Sequence, residues 1–254
     1  MKGEWLERMY HWFSPHNGNC PVCGRDRRVG APPLPVPIRH AAARQALSSL
    51  CSDCMRAIPW IDIAACSICG RPDRCGDCLR RSVRHFQCCR AAVRYDAVMR
   101  DWLALYKYRG LERLEPVLAA MLALPAERLL SRVSAFAVAA VPLADERLRE
   151  RGFNQAERMA LRIARWYRIP YLPLLRRVRH TDKQSFKGRG DRLENMRGSF
   201  AAAGPVALLD DGKERNIILV DDIYTTGSTI NECAYVIRKA YPSCKIYGLL
   251  WARS

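Results

Sequence analysis

The chain has 254 residues, 42 Lys and Arg against 25 Asp and Glu for a net charge of +17, 12 cysteines, and 49% apolar residues. An apolar fraction near one half supports a packed core and excludes wholesale disorder, and the length suits one medium domain with a small one beside it. No stretch approaches the roughly 20 consecutive apolar residues of a membrane-spanning helix, and the opening MKGEWLERMYHWF lacks the apolar run of a secretory signal, so the expected location is the cytoplasm.

Residues 1–90 are rich in cysteine and arginine and hold a proline-rich insert, APPLPVP at 31–37. Eight cysteines form four Cys-x-x-Cys pairs: Cys20/Cys23, Cys51/Cys54, Cys66/Cys69 and Cys75/Cys78. Two thiolates three positions apart reach one tetrahedral ion across a tight turn, and two such knuckles complete a four-sulfur shell. Gly24 and Gly70 directly follow second ligands and supply that turn. A disulfide framework is the alternative, and a reducing compartment disfavours it. Sequential and crossed pairings both satisfy the spacing. The favoured assignment is one structural zinc at Cys20/Cys23/Cys51/Cys54 and a second at Cys66/Cys69/Cys75/Cys78, with the adjacent Cys88 and Cys89 as substitute ligands.

From residue 91 the pattern becomes apolar and periodic, which sets the expected division at 1–90 and 91–254. Helices are expected over 97–108 and 111–124, a buried strand over 134–143, an amphipathic helix over 154–168, and a strand over 171–175. A polar Gly/Arg-rich stretch, 176–198, comes next, then a strand over 216–223, a helix over 228–240 and a last strand over 245–251. Strands alternating with helices imply an α/β domain on a mostly parallel sheet with helices on both faces. Residues 147–197 carry fifteen basic against five acidic residues, a net of +10, so either a polyanion site or a solvated arginine-rich face lies there.

The sharpest motif is ILVDDIYTTGST at 218–229 with Ile217 before it. An apolar strand delivers Asp221 and Asp222 to its carboxyl end, where ligands bind in open α/β sheets. A hydroxyl-rich turn then leads into a helix whose first N–H groups can hold a phosphate. Gly227 admits close backbone approach; Thr225, Thr226, Ser228 and Thr229 add hydroxyl donors. A plain capped strand–loop–helix is the alternative, and it leaves the tandem acids without a task.

These thirteen residues resemble the phosphoribosyl-pyrophosphate (PRPP) signature of type I phosphoribosyltransferases. More narrowly, the chain resembles the ComF family, a zinc-finger module fused to a phosphoribosyltransferase-like domain and linked to DNA uptake in natural transformation. CGRP at 69–72, LYKYRG at 105–110, VPL at 141–143, RERGFNQA at 149–156, and Arg179, Thr181, Gln184, Arg192, Asn195 and Phe200 also carry the resemblance. It implies a type I phosphoribosyltransferase-like fold behind a double zinc ribbon-like module. It also implies a PRPP–Mg²⁺ site in which Asp221 and Asp222 are the catalytic pair. Val220, Tyr224, Thr225, Thr226, Gly227, Ser228, Thr229, Lys107, Arg149, Arg151, Asn154 and Gln155 are its binding residues, with Arg147 nearby and Thr181, Gln184 and Arg192 on a hood. Lys107 reads rather more readily as solvated surface and Phe153 as packing, while Asn154 and Gln155 read equally as a helix cap and its neighbour. The implied partners are PRPP, single-stranded DNA, with Trp166, Tyr167, Tyr171 and Phe186 as stacking candidates that read more readily as core, and a competence helicase, since the chain has no P-loop. A transferase acting on a small nitrogenous acceptor and a non-catalytic adaptor are the competing functions.

Overall fold

Alternation along the strands decides which way each core residue points. In the computed structural model, which describes residues 18–26, 33–80, 83–108, 111–178 and 198–254, four strands form one sheet: β1 (Cys88–Arg94), β2 (Ala137–Ala140), β5 (Arg215–Tyr224) and β6 (Cys244–Arg253). Their order is β1-β6-β5-β2 and every pairing is parallel. Val138, Ala140, Ile218, Val220, Leu249 and Trp251 point to one face. There they meet α4 (Ala97–Tyr108), α5 (Glu115–Met121), α6 (Ala123–Leu130) and α8 (Gln155–Tyr167). Ala137, Ala139, Ile217, Leu219, Ile246 and Leu250 point to the other face, against α9 (Ser228–Ala240). The expected parallel α/β sheet with helices on both faces is thus observed.

The 97–108 and 228–240 helices match their expected limits. The one expected over 111–124 is instead a 3-10 turn (Glu112–Leu114), then α5 and α6, reaching Leu130. Both prolines explain the division: Pro116 and Pro125 each sit in the first turn of a helix, where the missing N–H has no intrahelical acceptor to lose. The strand expected over 171–175 pairs with the sheet only at Tyr171, beside Val138. The chain then leaves as β3 (Leu175–Arg177), antiparallel to β4 (Phe200–Ala202), and this strand pair covers the α9 face. Residues expected on the hood, Thr181, Gln184 and Arg192, lie outside the described residues, as do Arg179, Phe186 and Asn195.

The Cys-rich part holds α1 (Ala41–Leu47), α2 (Ser52–Arg56) and α3 (Asp77–Arg80). Leu47, Leu50, Met55 and Ile58 are buried in the same cluster as α5 and α6, and Val36 of the proline-rich insert and Ile38 just after it join them. Trp60 pairs with Val93, with Ile61 N–H donating to Ala92 O at 2.8 Å and Arg94 N–H to Pro59 O at 2.9 Å. The open edge of β1, itself spanning residues 90 and 91, is closed this way. Among the described residues no helix is long and apolar enough to cross a membrane.

Candidate metal centres and phosphate-binding site

The first knuckle of each group is built by its backbone. Gly24 N–H donates to Cys20 O (2.9 Å) and Cys20 N–H to Arg25 O (2.9 Å); Gly70 N–H to Cys66 O and Cys66 N–H to Arg71 O, both 3.0 Å, repeat the arrangement. Both glycines have φ +72°, and at Gly70 a Cβ would stand 2.6 Å from Cys89 O, so a side chain is excluded twice over. The turns bring Cys20, Cys23, Cys51 and Cys54 together, and separately Cys66, Cys69, Cys75 and Cys78, each group with its sulfurs within 4.8 Å of one another. The sequential pairing is therefore the one the fold adopts. Tetrahedral Zn–S bonds of about 2.3 Å place sulfurs about 3.8 Å apart. Cys23 and Cys51 are 3.7 Å apart and Cys69 and Cys75 3.6 Å, so both groups fit zinc. Four thiols so close cannot all ionise alone. Burial works against the Cys20 thiolate, but N–H groups of Cys23, Cys51 and Val22 outweigh it and bring the thiol to about 7; burial and the Cys20 charge push Cys54 up instead. Cys88 and Cys89 lie in β1, outside both groups.

At the carboxyl end of the sheet, β5 delivers Asp221 and Asp222 and the chain turns through residues 225–227 into α9. Gly227 has φ +76°, and a Cβ there would overlap the Tyr224 ring, so this turn requires glycine. Thr226 and Ser228 hydroxyls share a 2.6 Å hydrogen bond. Asp222 N–H donates to Asp221 Oδ1 at 2.8 Å, and Ile223 N–H to Asp222 Oδ1 at 2.7 Å. Lys107, from the last turn of α4, forms an ion pair with Asp222 Oδ2 in which the two side chains are 14% and 13% exposed. Gln155, the first residue of α8, donates to the same oxygen at 2.8 Å, and Arg151 donates to Gln155 Oε1. Burial, then the charge of Asp222, push Asp221 well above the usual carboxylate range. Burial opposes ionisation of Asp222 too, but Lys107's charge and the donors from Lys107 and Gln155 outweigh it and hold that acid low. The two adjacent carboxyls thus differ in acidity, Asp221 held up and Asp222 held down.

Asn154 caps α8: its Oδ1 accepts from Ala156 N–H at 3.1 Å and its amide donates to Val141 O at 3.0 Å. Val220 is fully buried, its carbonyl accepting from Val141 N–H. Arg147, Arg149 and Arg151 lie on a helix, α7 (Asp145–Arg151), ended by Gly152 at φ +80°. Its acids open the first turn and its arginines the last, complementing the helix dipole. Arg151 joins the site; Arg149 is exposed and bonds to no described residue.

No protein-family model matches the chain. It is 30% identical over 201 residues to the competence protein ComFC of Streptococcus pneumoniae, covering 76% of this chain and 83% of that protein. The chain belongs to the ComF family of competence proteins. It is also 36% identical over 101 residues to competence protein F of Haemophilus influenzae, 39% of this chain and 43% of that protein, so this match spans less than half of the relative. The DNA utilization protein YhgH of Escherichia coli K12 is 32% identical over 88 residues, 34% of this chain and 36% of that protein.

In this ComF chain several arginines of the basic segment are engaged within the fold. Arg158 pairs with Glu112 and lies 4.4 Å over the Phe153 ring, and Arg162 pairs with Glu115 at 2.7 Å. Phe153 packs on Tyr106. Of the stacking candidates, Trp166 lies against His40, while the hydroxyls of Tyr167 and Tyr171 donate to Glu127 and Glu157; Phe186 is outside the described residues. Two residues with no motif around them border the site. Arg177, on β3, is held below the usual guanidinium range by burial, with Cys233 and Asp221 acting oppositely. Arg253, 3% exposed, donates to the carbonyls of Tyr224 and Thr225.

Proposed function

We propose that this chain binds PRPP with Mg²⁺ at the carboxyl end of its sheet and acts, in the cytoplasm, on DNA taken up during natural transformation. The observation that carries the reading is the Asp221–Asp222 pair, split in its acidity, set between a hydroxyl-rich helix-opening turn and the cations of Lys107 and Arg151. Thr225, Thr226, Gly227, Ser228 and Thr229 take the 5-phosphate with the first N–H groups of α9. Asp221 and Asp222 take the ribose hydroxyls and the hydrated cation. Lys107, Arg149 and Arg151 take the pyrophosphate; Gln155 positions Asp222, Asn154 fixes α8, and Val220 and Tyr224 support the turn. The paired carboxyl oxygens suit a hydrated Mg²⁺, which would supply charge neutralisation for a departing pyrophosphate. The metal-binding module, residues 1–90, serves as scaffold for the domain of residues 91–254. The ComFC relatives named for competence, and the relatives named for DNA utilization, support the DNA role.

The deciding experiment is calorimetric titration of the zinc-loaded protein with PRPP and Mg²⁺, repeated with single-stranded DNA bound. Binding by the wild type and its loss in a folded Asp221→Asn/Asp222→Asn variant are expected. No heat from the wild type under either condition overturns the PRPP site.

A further inference from the structure

Arg253 joins two sites that lie far apart in the chain. From the end of β6 its Nη1 donates to the carbonyls of Tyr224 and Thr225, each at 3.0 Å, and its guanidinium lies 4.6 Å over the Tyr224 ring. Its Nη2 stands 3.9 Å from Sγ of Cys69, a member of the second four-sulfur group. The parallel register places Tyr224 opposite Arg253. A second connection runs alongside: Ser254 N–H donates to Tyr224 O at 3.0 Å, and Arg71, two residues beyond Cys69, donates to Ser254 O at 3.5 Å. The knuckle is itself fixed to the sheet, Cys89 N–H donating to Ile68 O at 2.7 Å and Arg90 to Ser67 O at 2.9 Å.

We propose that Arg253 is a positioning residue that couples the second metal centre to the turn opening α9, so that a filled centre holds the turn's backbone in place. A guanidinium is a rigid planar fork, so its donors serve sulfur and carbonyls together only in one orientation. A metal-bound thiolate keeps its charge and accepts from such a donor, the usual arrangement behind a metal ligand. The carbonyls of residues 224 and 225 then set the direction of the peptide planes that follow. Loss of the metal frees the 66–78 knuckle, and Arg253 loses its anchor on that side. The coupling concerns the turn's geometry; only its effect on affinity rests on the PRPP proposal.

The test uses the full zinc-loaded chain, with hydrogen exchange followed in peptides spanning 222–231 and zinc measured per chain. Arg253→Met is expected to keep both zinc ions while these amides exchange about tenfold faster, and Arg253→Lys, which keeps one donor head, to restore part of the protection. Cys75→Ser empties the second centre and leaves Cys69 in place; it is expected to speed the same amides in the wild type and to add less in Arg253→Met, where only the Arg71–Ser254 connection remains. Unchanged exchange in folded, zinc-loaded Arg253→Met, or additive effects of the two changes, overturns the coupling. If Arg253→Met fails to fold, unchanged exchange in Cys75→Ser alone overturns it. A wild type without PRPP heat but with these exchange effects removes the ligand assignment and retains the coupling.

Discussion

Replacing Lys107 by Met tests whether the acid pair depends on a buried cation. The Lys107 and Asp222 side chains are 14% and 13% exposed, so removing the ammonium strands a charge that water barely reaches. Breaking one side of such a pair costs about 3–5 kcal/mol. Gln155 Nε2 and Ile223 N–H still donate to Asp222, which places the expected loss near the lower bound, about 3 kcal/mol at pH 7. In the wild type Asp222 lies below its ordinary 3.8, so its ionised form contributes stability above that value and loses it as pH falls through the lower folded one. In Lys107→Met, burial acts without the opposing cation and Asp222 rises, so the fold takes up a proton before the unfolded chain does. The deficit therefore shrinks as pH falls through that raised value toward the ordinary carboxylate one. Asp222→Asn in the same background removes the stranded charge and is expected to recover about 1–2 kcal/mol. Urea unfolding of zinc-saturated protein followed by tryptophan fluorescence measures all three. A loss below about 1 kcal/mol, a deficit flat in pH, or no recovery in the double variant refutes the reasoning.

Three further outcomes follow from the geometry. Cys20→Ser and Cys66→Ser are each expected to lower bound zinc from two ions to one per chain, read by metal analysis; loss of both ions from either variant contradicts two independent centres. Gly227→Ala places an L side chain at φ +76° against Tyr224; it is expected to cost at least about 1–2 kcal/mol and to weaken PRPP binding, and an unchanged melting temperature counts against the tight turn. Asn154→Ala removes the α8 cap, with an expected loss of about 1 kcal/mol in denaturant unfolding.

Where the sequence was legible, one segment contained its own explanation. α4 and α9 carry apolar residues at three- and four-residue spacing on the side that meets the sheet, Met99, Trp102, Leu103 and Tyr106 in one and Ile230, Cys233, Ala234 and Ile237 in the other. The acids and the turn after them are contiguous, so they read directly. β1, CCRAAVR, was not foreseen because Arg90 and Arg94 break its apolar run, and its burial comes from β6 on one side and Trp60 on the other. The choice between sequential and crossed zinc pairing likewise needed the placement of α2 beside the first knuckle, which no spacing supplies. Arg253 and Arg177 reach the site only through strand register and the β3–β4 pairing.

The basic segment shows the same limit in electrostatic terms. A net charge counted over residues 147–197 ignores acids outside that window, and Glu112 and Glu115 are such acids: they neutralise Arg158 and Arg162. Arg151 is turned inward to Gln155. Among the described residues of the segment, Arg149, Arg165, Arg168 and Arg176 are the exposed arginines that pair with no described residue, so these four are open to a polyanion. Four phosphate contacts predict a slope of about −3 in log K against log salt for a single strand, where ten would give about −7. Reversing Arg149, Arg165 and Arg168 together is expected to flatten the slope toward about −1, while Arg162→Ala is expected to leave it in place and cost stability through Glu115. A wild-type slope near −7 that survives the triple reversal would refute this surface and transfer the contacts to the basic residues of 179–197.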